Sequence, residues 1–255
     1  YPLRRQRQMC IRDRNKFSFI NTVVVDEWHE LIGSKRGVQV ELCLAAIRHF
    51  NTSTSIWGIS ATIGNIEQAK NVLLGNFKNE NNGVLIKSNI KKKIQVKSIA
   101  PKEIKHMPWR GHLGINLIAE LIPILKKSKS TLIFTNTRSQ CELWYQKLLE
   151  KMPDLAGDMA MHHGSIDRDI RLWVENAVRN EKIKVVVCTS SLDLGVDFHP
   201  VESIVQIGGP KGVARFIQRA GRSGHRPKEV SKIYFLPTHA IELIEAAALN
   251  KAVKK

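Results

Sequence analysis

The 255-residue sequence lacks both of the common glycine-rich motifs that bind nucleotides. It contains no Gly-x-x-x-x-Gly-Lys-[Ser/Thr] phosphate loop, so no segment of it is suited to cradling a β-phosphate. It also contains no Gly-x-Gly-x-x-Gly, which excludes a dinucleotide-binding site. We therefore expect that this stretch of chain, taken alone, does not hydrolyse nucleotides.

Long apolar runs and clustered cysteines are absent as well. No stretch is long and apolar enough to cross a bilayer, and no signal-peptide pattern opens the sequence, so we expect no membrane partner. The cysteines lie far apart, without a CxxC pair or a Cys/His cluster, at Cys10, Cys43, Cys141 and Cys188. They predict buried thiols in a reducing cytoplasm and exclude a disulfide framework or a cysteine-based metal centre.

Acidic residues are scarce: 23 Asp and Glu stand against 40 Lys and Arg, and the net charge is +17. This excess favours a polyanionic partner, because lysine and arginine gain affinity for nucleic acid by releasing counterions. A merely basic, soluble surface would have the same composition. Charge alone leaves both interpretations open, and the motifs decide between them.

Strand-like and helix-like apolar periods alternate over most of the sequence. This alternation predicts an α/β fold with parallel sheets. Residues 1–14 fit neither period, and we interpret them as a non-native segment. The other predicted boundaries are a first domain at 15–100, a Pro/Gly-rich linker at 101–112, a second domain at 113–237 and the start of a further region at 238–255.

The most informative segment is residues 23–29, VVVDEWH, in which two acids and a histidine follow a run of valine. The valines predict a buried parallel strand, and ligands of open α/β sheets bind where such strands end. Asp26 is suited to holding Mg²⁺ through water, and Glu27 to taking a proton from an attacking water. An Asp-Glu pair is usually a solvated loop, but its place after this strand favours the catalytic interpretation.

Small polar residues follow three other predicted strands. Residues 60–62 (SAT) come one strand-helix unit after Asp26, where they can bridge to the Mg²⁺ loop, although such a tripeptide is more often a turn. Residues 133–138 (IFTNTR) and 161–165 (MHHGS) end strands with groups suited to grip a phosphodiester backbone. The paired histidines of the latter segment lack a third ligand at metal-ligand spacing, so we do not predict a metal there.

Two later segments complete the set. Residues 189–197 (TSSLDLGVD) follow a valine strand, with hydroxyls for phosphate and two acids for a ribose or an arginine; a well-capped loop would look the same. Residues 218–225 (QRAGRSGH) place Arg222 among glycines, where the backbone can approach a ligand closely. A cation delivered to a γ-phosphate held by another domain completes a site only when the domains close. We therefore expect Glu27 and Arg222 to face each other across one cleft.

In order and spacing, these segments resemble the superfamily 2 DExH-box helicases. They match motif II at 26–29, motif III at 60–62, motif IV at 133–138, motif V at 189–197 and motif VI at 218–225. The finer resemblance is to the large helicase-related (Lhr-like) branch, especially its bacterial ligase-associated DNA-damage-response members. It is carried by 26–39 (DEWHELIGSKRGVQ), 56–65 (IWGISATIGN) and 218–225, together with 109–114 and 238–248.

The resemblance implies two tandem RecA-like parallel-sheet domains of the phosphate-loop NTPase type. ATP and Mg²⁺ would bind between them, and single-stranded or partly duplex DNA would lie across both. The family's phosphate loop and other N-terminal motifs are missing, and its winged helix would come after the second domain. We therefore interpret the sequence as an internal fragment with an N-terminally truncated first domain. The parent would be an ATP-dependent 3′→5′ DNA helicase of DNA repair, with a DNA ligase or nuclease as a candidate partner.

The resemblance also assigns roles to individual residues. Asp26 would ligate Mg²⁺, Glu27 would be the general base, and Arg222 would be the arginine finger. The remaining assignments are coupling of hydrolysis to strand movement by His29, Ser60 and Thr62; DNA-backbone binding by Thr135, Arg138, Gly164, Ser165 and Thr189; and nucleotide contacts by Gly195, Asp197 and His225. His225 stands where many of these helicases have a second arginine, and Arg226 is a candidate substitute.

Two other functions stay open at this point. An RNA helicase would use the same motifs, since nothing in the sequence reads a 2′-hydroxyl group. The non-enzymatic alternative is a basic nucleic-acid-binding module with decayed motifs. It is disfavoured because Asp26, Glu27 and Arg222 are all present.

Overall fold

Parallel β-strands form the framework of both units of the chain, Tyr1–Asn89 and Ile90–Lys255. The computed structural model describes residues 17–61, 63–75, 83–87, 93–100, 114–193, 201–224 and 230–253. Within these ranges, every helix is too short or too polar to span a bilayer. The predicted α/β fold with parallel sheets is confirmed.

The first unit contains a two-stranded parallel sheet flanked by helices. Its elements are β1 (Thr22–Val25), α1 (Trp28–Leu31), α2 (Lys35–Phe50), β2 (Ser55–Gly58) and α3 (Ile66–Leu74). The strands pair in register from Thr22 with Ser55 to Val25 with Gly58. The β-branched residues of β1 favour the extended backbone of a strand.

The segment after β1 is held down by a buried tryptophan. Trp28 is only 2% exposed and packs with Val25, Leu44 and Leu73. Its indole Nε1–H donates to the carbonyl of Ala69 at 3.0 Å, so its polar atom is satisfied within the core. This anchor fixes the backbone that carries the residues on either side of it.

The second unit is built on a six-stranded, all-parallel sheet with the strand order β3-β8-β7-β4-β6-β5. Its strands are β3 (Ile94–Ser98), β4 (Thr131–Phe134), β5 (Met159–His162), β6 (Val185–Cys188), β7 (Ser203–Ile207) and β8 (Ser231–Leu236). Its helices are α4 (Ile118–Lys127), α5 (Arg138–Lys151), α6 (Arg168–Arg179), α7 (Val213–Ala220) and α8 (Glu242–Val253), with 3₁₀ turns at Ile115–Leu117, Pro153–Asp158 and Ser190–Leu192.

Helices cover both faces of this sheet. One face packs against α6, α7 and α8 around residues such as Val186, Ile204 and Phe216. The other face packs against α4 and α5 around Trp144 and Val187. Because both faces are covered, the central strands β4 and β6 are continuous runs of buried residues.

The strand β3 lies in a different unit from the one that we predicted. The sequence places residues 15–100 in the first domain, whereas Ile94 to Ser98 pair with Ser231 to Phe235 of β8 in the second. Ile94 and Val96 also pack against the second core. A Pro/Gly-rich stretch shows where regular structure breaks, but the hydrogen-bonding partner decides which sheet a strand joins. The predicted linker at 101–112 and the segment 1–14 lie outside the described residues.

The C-terminal helix also differs from its prediction. We expected residues 238–255 to begin a further domain, but α8 buries Ala246 and Leu249 in the core of the second unit. These residues are three apart, which places them on one face of the helix, towards the sheet. The cysteine prediction is likewise only partly correct: Cys141 and Cys188 are buried free thiols, whereas Cys43 is exposed.

Candidate nucleotide and nucleic-acid site

The acids predicted to be catalytic lie at the carboxyl end of β1. Asp26 is exposed, and its Oδ1 accepts the backbone N–H of Glu27 at 2.8 Å. Glu27 has a left-handed backbone conformation, with φ 52° and ψ 41°. A non-glycine residue in this region carries a conformational cost of about 1 kcal/mol or more, and such residues cluster at functional sites.

Motif II touches motif III directly. The backbone N–H of His29 donates to Ser60 Oγ at 3.2 Å, and the backbone N–H of Ala61 donates to His29 Nδ1 at 3.2 Å. Ser60 Oγ also lies 3.3 Å from Nδ1. The contact arises because β1 and β2 are paired, so that the segments after them leave the sheet side by side. Thr62 lies outside the described residues.

These bonds determine the tautomer of His29. Since Nδ1 accepts the N–H of Ala61, a neutral ring carries its proton on Nε2. Glu27 Oε2 lies 3.4 Å from the same Nδ1. Two acceptors cannot share a hydrogen bond, so Glu27 and the neutral His29 are close without being bonded.

The end of β1 also has the donor chemistry of a Mg²⁺ site. Magnesium prefers carboxylate and water oxygens, and is usually held by one or two carboxylates together with substrate phosphates. Asp26 uses Oδ1 for a backbone bond, while its exposed Oδ2 has no hydrogen-bond partner in the described part of the chain. An exposed carboxylate oxygen at the end of a parallel strand fits a hydrated magnesium ion.

In the second unit, the predicted nucleic-acid residues follow three adjacent strands, β4, β6 and β5. Gly164 and Ser165 are exposed after β5, and Thr189 is half-buried after β6. Thr135 differs: it is 1% exposed, and its Oγ1–H lies within hydrogen-bond distance of the carbonyl of Cys188 at 3.1 Å. Its burial argues against direct contact with DNA, and its hydroxyl instead ties motif IV to β6.

Arg138 is linked to the loop after β5 through Glu142. Arg138 Nε donates to Glu142 Oε1 at 2.7 Å, and His163 Nε2 lies 3.5 Å from the same oxygen. The bond from Arg138 lowers the pKa of Glu142, while burial lowers the pKa of His163. His163 Nδ1 in turn accepts the backbone N–H of Ser165 at 3.3 Å. The predicted backbone-binding groups of motif IV and of residues 161–165 thus belong to one polar network.

The neighbouring residue, His162, holds the backbone of Thr189 in place. His162 is fully buried, with Nδ1 2.7 Å from Ser191 Oγ and Nε2 3.1 Å from Glu175 Oε1. Thr189 donates its backbone N–H to the carbonyl of His162 at 3.1 Å. The paired histidines therefore have protein partners of their own, and they hold the loops around the predicted binding groups.

The strongest polar cluster of the second unit was missed at the sequence level. Arg219, 3% exposed, donates from Nε and NH2 to the two oxygens of Asp193 at 2.7 and 2.9 Å. Its NH1 donates to Gln206 Oε1 at 2.6 Å, and its guanidinium lies 4.5 Å from the ring centroid of Phe134. Asp193 thus binds an arginine, one of the two alternatives that the sequence left open. A signal was available, because Arg219 falls on the same helical face as the buried Phe216.

Arg222 is held by the same cluster. Its NH2 donates to the backbone carbonyl of Asp193 at 2.7 Å, and its own carbonyl accepts the N–H of Val201 at 2.9 Å. Motifs V and VI are therefore joined both through side chains and through the main chain. Three further predicted nucleotide contacts, Gly195, Asp197 and His225, lie outside the described residues, as does Arg226.

Comparison with known proteins places both units in helicase families. The DEAD/DEAH box helicase family matches residues 3–69, and the helicase conserved C-terminal domain matches residues 114–226. The first match includes most of the segment 1–14 that we had interpreted as non-native. Both units are thus RecA-like helicase domains, as predicted.

Individual relatives indicate which branch of the helicases the chain resembles. The ATP-dependent helicase Lhr-Core of Sulfolobus acidocaldarius is 35% identical over 247 residues, which cover 93% of this chain and 28% of that protein. The structure of Mycobacterium smegmatis helicase Lhr bound to ssDNA and AMP-PNP aligns with a TM-score of 0.81 and 26% identity, over 94% of this chain and 32% of that one. A protein of S. cerevisiae solved with RNA and ADP BeF3 shares the fold, with a TM-score of 0.68, 21% identity and 92% and 57% coverage.

These matches agree with the class that the two sheets and their motifs define. The chain belongs to the superfamily 2 helicases, in their Lhr-like branch. It spans about 28% of the length of the Lhr-Core relatives that it matches.

Proposed function

We propose that this chain is the part of an ATP-dependent DNA helicase that couples ATP hydrolysis to movement along a DNA strand. The observation that carries the proposal is the hydrogen-bonded contact between His29 of motif II and Ser60 and Ala61 of motif III. Through the His29 ring and the Ser60 hydroxyl, it connects the segment that carries the catalytic acids directly to motif III. The names of the Lhr-Core relatives, ATP-dependent helicases, support the same activity.

In this proposal the end of β1 prepares the attacking water. Mg²⁺, when bound with ATP, neutralises phosphate charge and orients the γ-phosphate. Asp26 would hold the ion through its free carboxylate oxygen. Glu27 would take the proton of the attacking water on a carboxylate oxygen that His29 does not bond in its neutral form.

The second unit would supply the transition-state cation and the track for DNA. Arg222, fixed by the carbonyl of Asp193, would stabilise charge on the γ-phosphate. Arg138, Ser165 and Thr189 would bind the phosphodiester backbone, with Gly164 allowing close approach. The net charge of +17 supports a nucleic-acid partner of this kind.

We propose single-stranded DNA rather than RNA as the substrate. The supporting observation is the likeness to the M. smegmatis Lhr structure, solved with ssDNA, whose identity and TM-score both exceed those of the structure solved with RNA. Movement from 3′ to 5′, a cytoplasmic role in DNA repair, and a DNA ligase or nuclease as partner extend this proposal. They come from the resemblance to the ligase-associated members of the Lhr-like branch.

The proposal is tested by Glu27→Gln in the full-length protein. Removing a general base should lower DNA-stimulated ATP hydrolysis by roughly 10²- to 10⁴-fold, while the affinities for ATP and single-stranded DNA stay unchanged. Glu67→Gln, which neutralises an exposed acid of the same unit, is the matched control. Hydrolysis by Glu27→Gln at the wild-type rate would refute the catalytic proposal. Stronger stimulation by single-stranded RNA than by DNA of the same sequence would favour the RNA helicase.

A further inference from the structure

A buried carboxylate, Glu242 on α8, binds two loops at the carboxyl edge of the second sheet. Its side chain is nearly inaccessible, and Oε1 accepts the backbone N–H of Gly209 at 2.7 Å. Oε2 accepts the backbone N–H of Thr238 and its hydroxyl, the latter at 3.0 Å. Both carboxylate oxygens are therefore used by the protein, which is the condition for burying this group at acceptable cost.

The peptide that Glu242 binds is held from its other side as well. Asn136 of motif IV donates from Nδ2 to the carbonyl of Gly209 at 2.9 Å. The backbone N–H of Asn136 donates to Gln140 Oε1 at 3.1 Å, which ties the same residue to the start of α5. Gly209 thus has its N–H fixed by α8 and its C=O fixed by motif IV. The loops after β4 and β7 are therefore joined at Gly209, and Glu242 connects them to the loop after β8 through Thr238.

The glycine pair at this point is required by the close approach. Gly208 has a left-handed φ of 73°. A Cβ on Gly209 would lie 2.5 Å from the carboxylate of Glu245 and 3.4 Å from that of Glu242. A larger residue at position 209 would have to push aside the flexible, exposed side chain of Glu245, whereas the Glu242 carboxylate lies at an ordinary contact distance, so the Gly-Gly sequence suits the close approach of α8.

The loop held in this way leads directly into α7. Gly209 lies four residues before Val213, the first residue of that helix, which carries Arg219 and ends immediately before the segment with Arg222. We propose that Glu242 is a positioning residue for hydrolysis. From α8 it fixes the β7–α7 loop, and through that loop it sets the position of Arg222 and the register of motif VI relative to motif IV. This inference rests on the role proposed above for Arg222.

The experiment uses the full-length protein with saturating single-stranded DNA, and measures kcat and KM for ATP after correction for the folded fraction. Glu242→Gln leaves one acceptor oxygen in place of two, so the loop should shift without collapsing. A displacement of about 1 Å at a catalytic group can cost roughly 100-fold in rate, so we expect kcat to fall by roughly 10- to 100-fold with KM for ATP unchanged. Glu150→Gln, at an exposed acid of α5 whose carboxylate accepts from Lys147 and not from these loops, should keep the wild-type kcat.

A double substitution separates positioning from general stability. If Glu242 acts through Arg222, then Glu242→Gln should cause no further loss of kcat in an Arg222→Ala background. If the kcat loss of the double variant equals the product of the two single losses, the proposal is overturned. It is also overturned if Glu242→Gln lowers the melting temperature but keeps a normal kcat per folded molecule. If Arg222→Ala itself keeps the wild-type kcat, Arg222 is not the arginine finger, and this inference fails with that assignment. A normal Glu242→Gln rate beside an impaired Arg222→Ala refutes the positioning role alone.

Discussion

Arg219 and Asp193 form a two-point ion pair inside the second unit, with Nε–Oδ1 at 2.7 Å and NH2–Oδ2 at 2.9 Å. Both side chains are under 5% exposed, so water cannot solvate the charge of one if its partner is lost. Removing one partner of such a pair leaves an uncompensated buried charge. The pair therefore joins motif V to motif VI in a way that tolerates little change.

We predict that Asp193→Asn lowers the free energy of unfolding of the second unit by about 3–5 kcal/mol, because Arg219 stays charged and buried. Urea denaturation, followed by hydrogen exchange at the amides of β6 and β7, measures the change. The matched control is Glu142→Gln, which breaks the exposed pair with Arg138 and should cost far less, because water solvates both charges when the pair is lost. Equal losses in the two variants would mean that burial of the Asp193 pair contributes nothing.

A second prediction concerns the contact between motifs II and III. His29→Ala removes the ring that accepts the N–H of Ala61, and Ser60→Ala removes the hydroxyl that accepts the N–H of His29. In the full-length protein, each should lower strand displacement more than ATP hydrolysis, because Asp26 and Glu27 are left in place. The ratio of base pairs opened to ATP consumed measures this.

The two substitutions should also be non-additive, since they break parts of one contact. Ser53→Ala is a suitable control, because Ser53 is exposed in the loop before β2 and bonds only locally, to Asn51. A double variant whose loss equals the product of the single losses would show that His29 and Ser60 act separately.

The sequence located most of the candidate site because its residues follow strands. Asp26, Ser60 and Thr189 each come directly after a run of apolar residues, and Gly164 follows another strand after two histidines; parallel strands bring such positions to the carboxyl edge of their sheet. What it missed depends on tertiary partners. Nothing local distinguishes the buried hydroxyl of Thr135 from an exposed one. The spacing of Arg219 from Phe216 indicates an inward-facing position, but its partners Asp193 and Gln206 are identified only in the folded structure.

The same limit applies to the fold. The alternation of strands and helices was readable along the chain, whereas the sheet that β3 joins was not. Its pairing with β8 spans more than 130 positions and leaves no periodic signal near Ile94. Glu242 likewise looks like any surface acid at the start of a helix until the loops at Gly209 and Thr238 are brought to it.

A third prediction follows from the buried His162. Burial lowers its pKa, while Glu175 acts in the opposite direction and Arg171 and His163 add to the lowering. In the unfolded chain a histidine titrates near about 6.5, so on acidification the unfolded state takes up its proton first. The stability gained by burying the neutral ring is therefore complete above about pH 6.5 and is lost as the pH falls towards the lowered pKa.

Urea denaturation at several pH values between about 7.5 and 5.5 tests this, a range chosen around the ordinary histidine pKa. The free energy of unfolding should decrease towards acid, and His162→Gln should reduce the slope. His163 titrates in the same direction and is left intact in both proteins. An identical slope in His162→Gln and wild type would contradict the assignment.

A last prediction concerns the 255-residue chain by itself. Because it contains no phosphate-loop motif, it should show no ATP hydrolysis above background, even with Mg²⁺ and single-stranded DNA. It should nevertheless bind single-stranded DNA through its basic groups. The logarithm of the affinity should then fall linearly with the logarithm of salt concentration, by about 0.7 for each phosphate neutralised. Fluorescence anisotropy and a phosphate-release assay measure the two properties on the same preparation. DNA-stimulated turnover that Glu27→Gln abolishes would contradict the prediction, because it would mean that these residues bind and hydrolyse ATP without a phosphate loop.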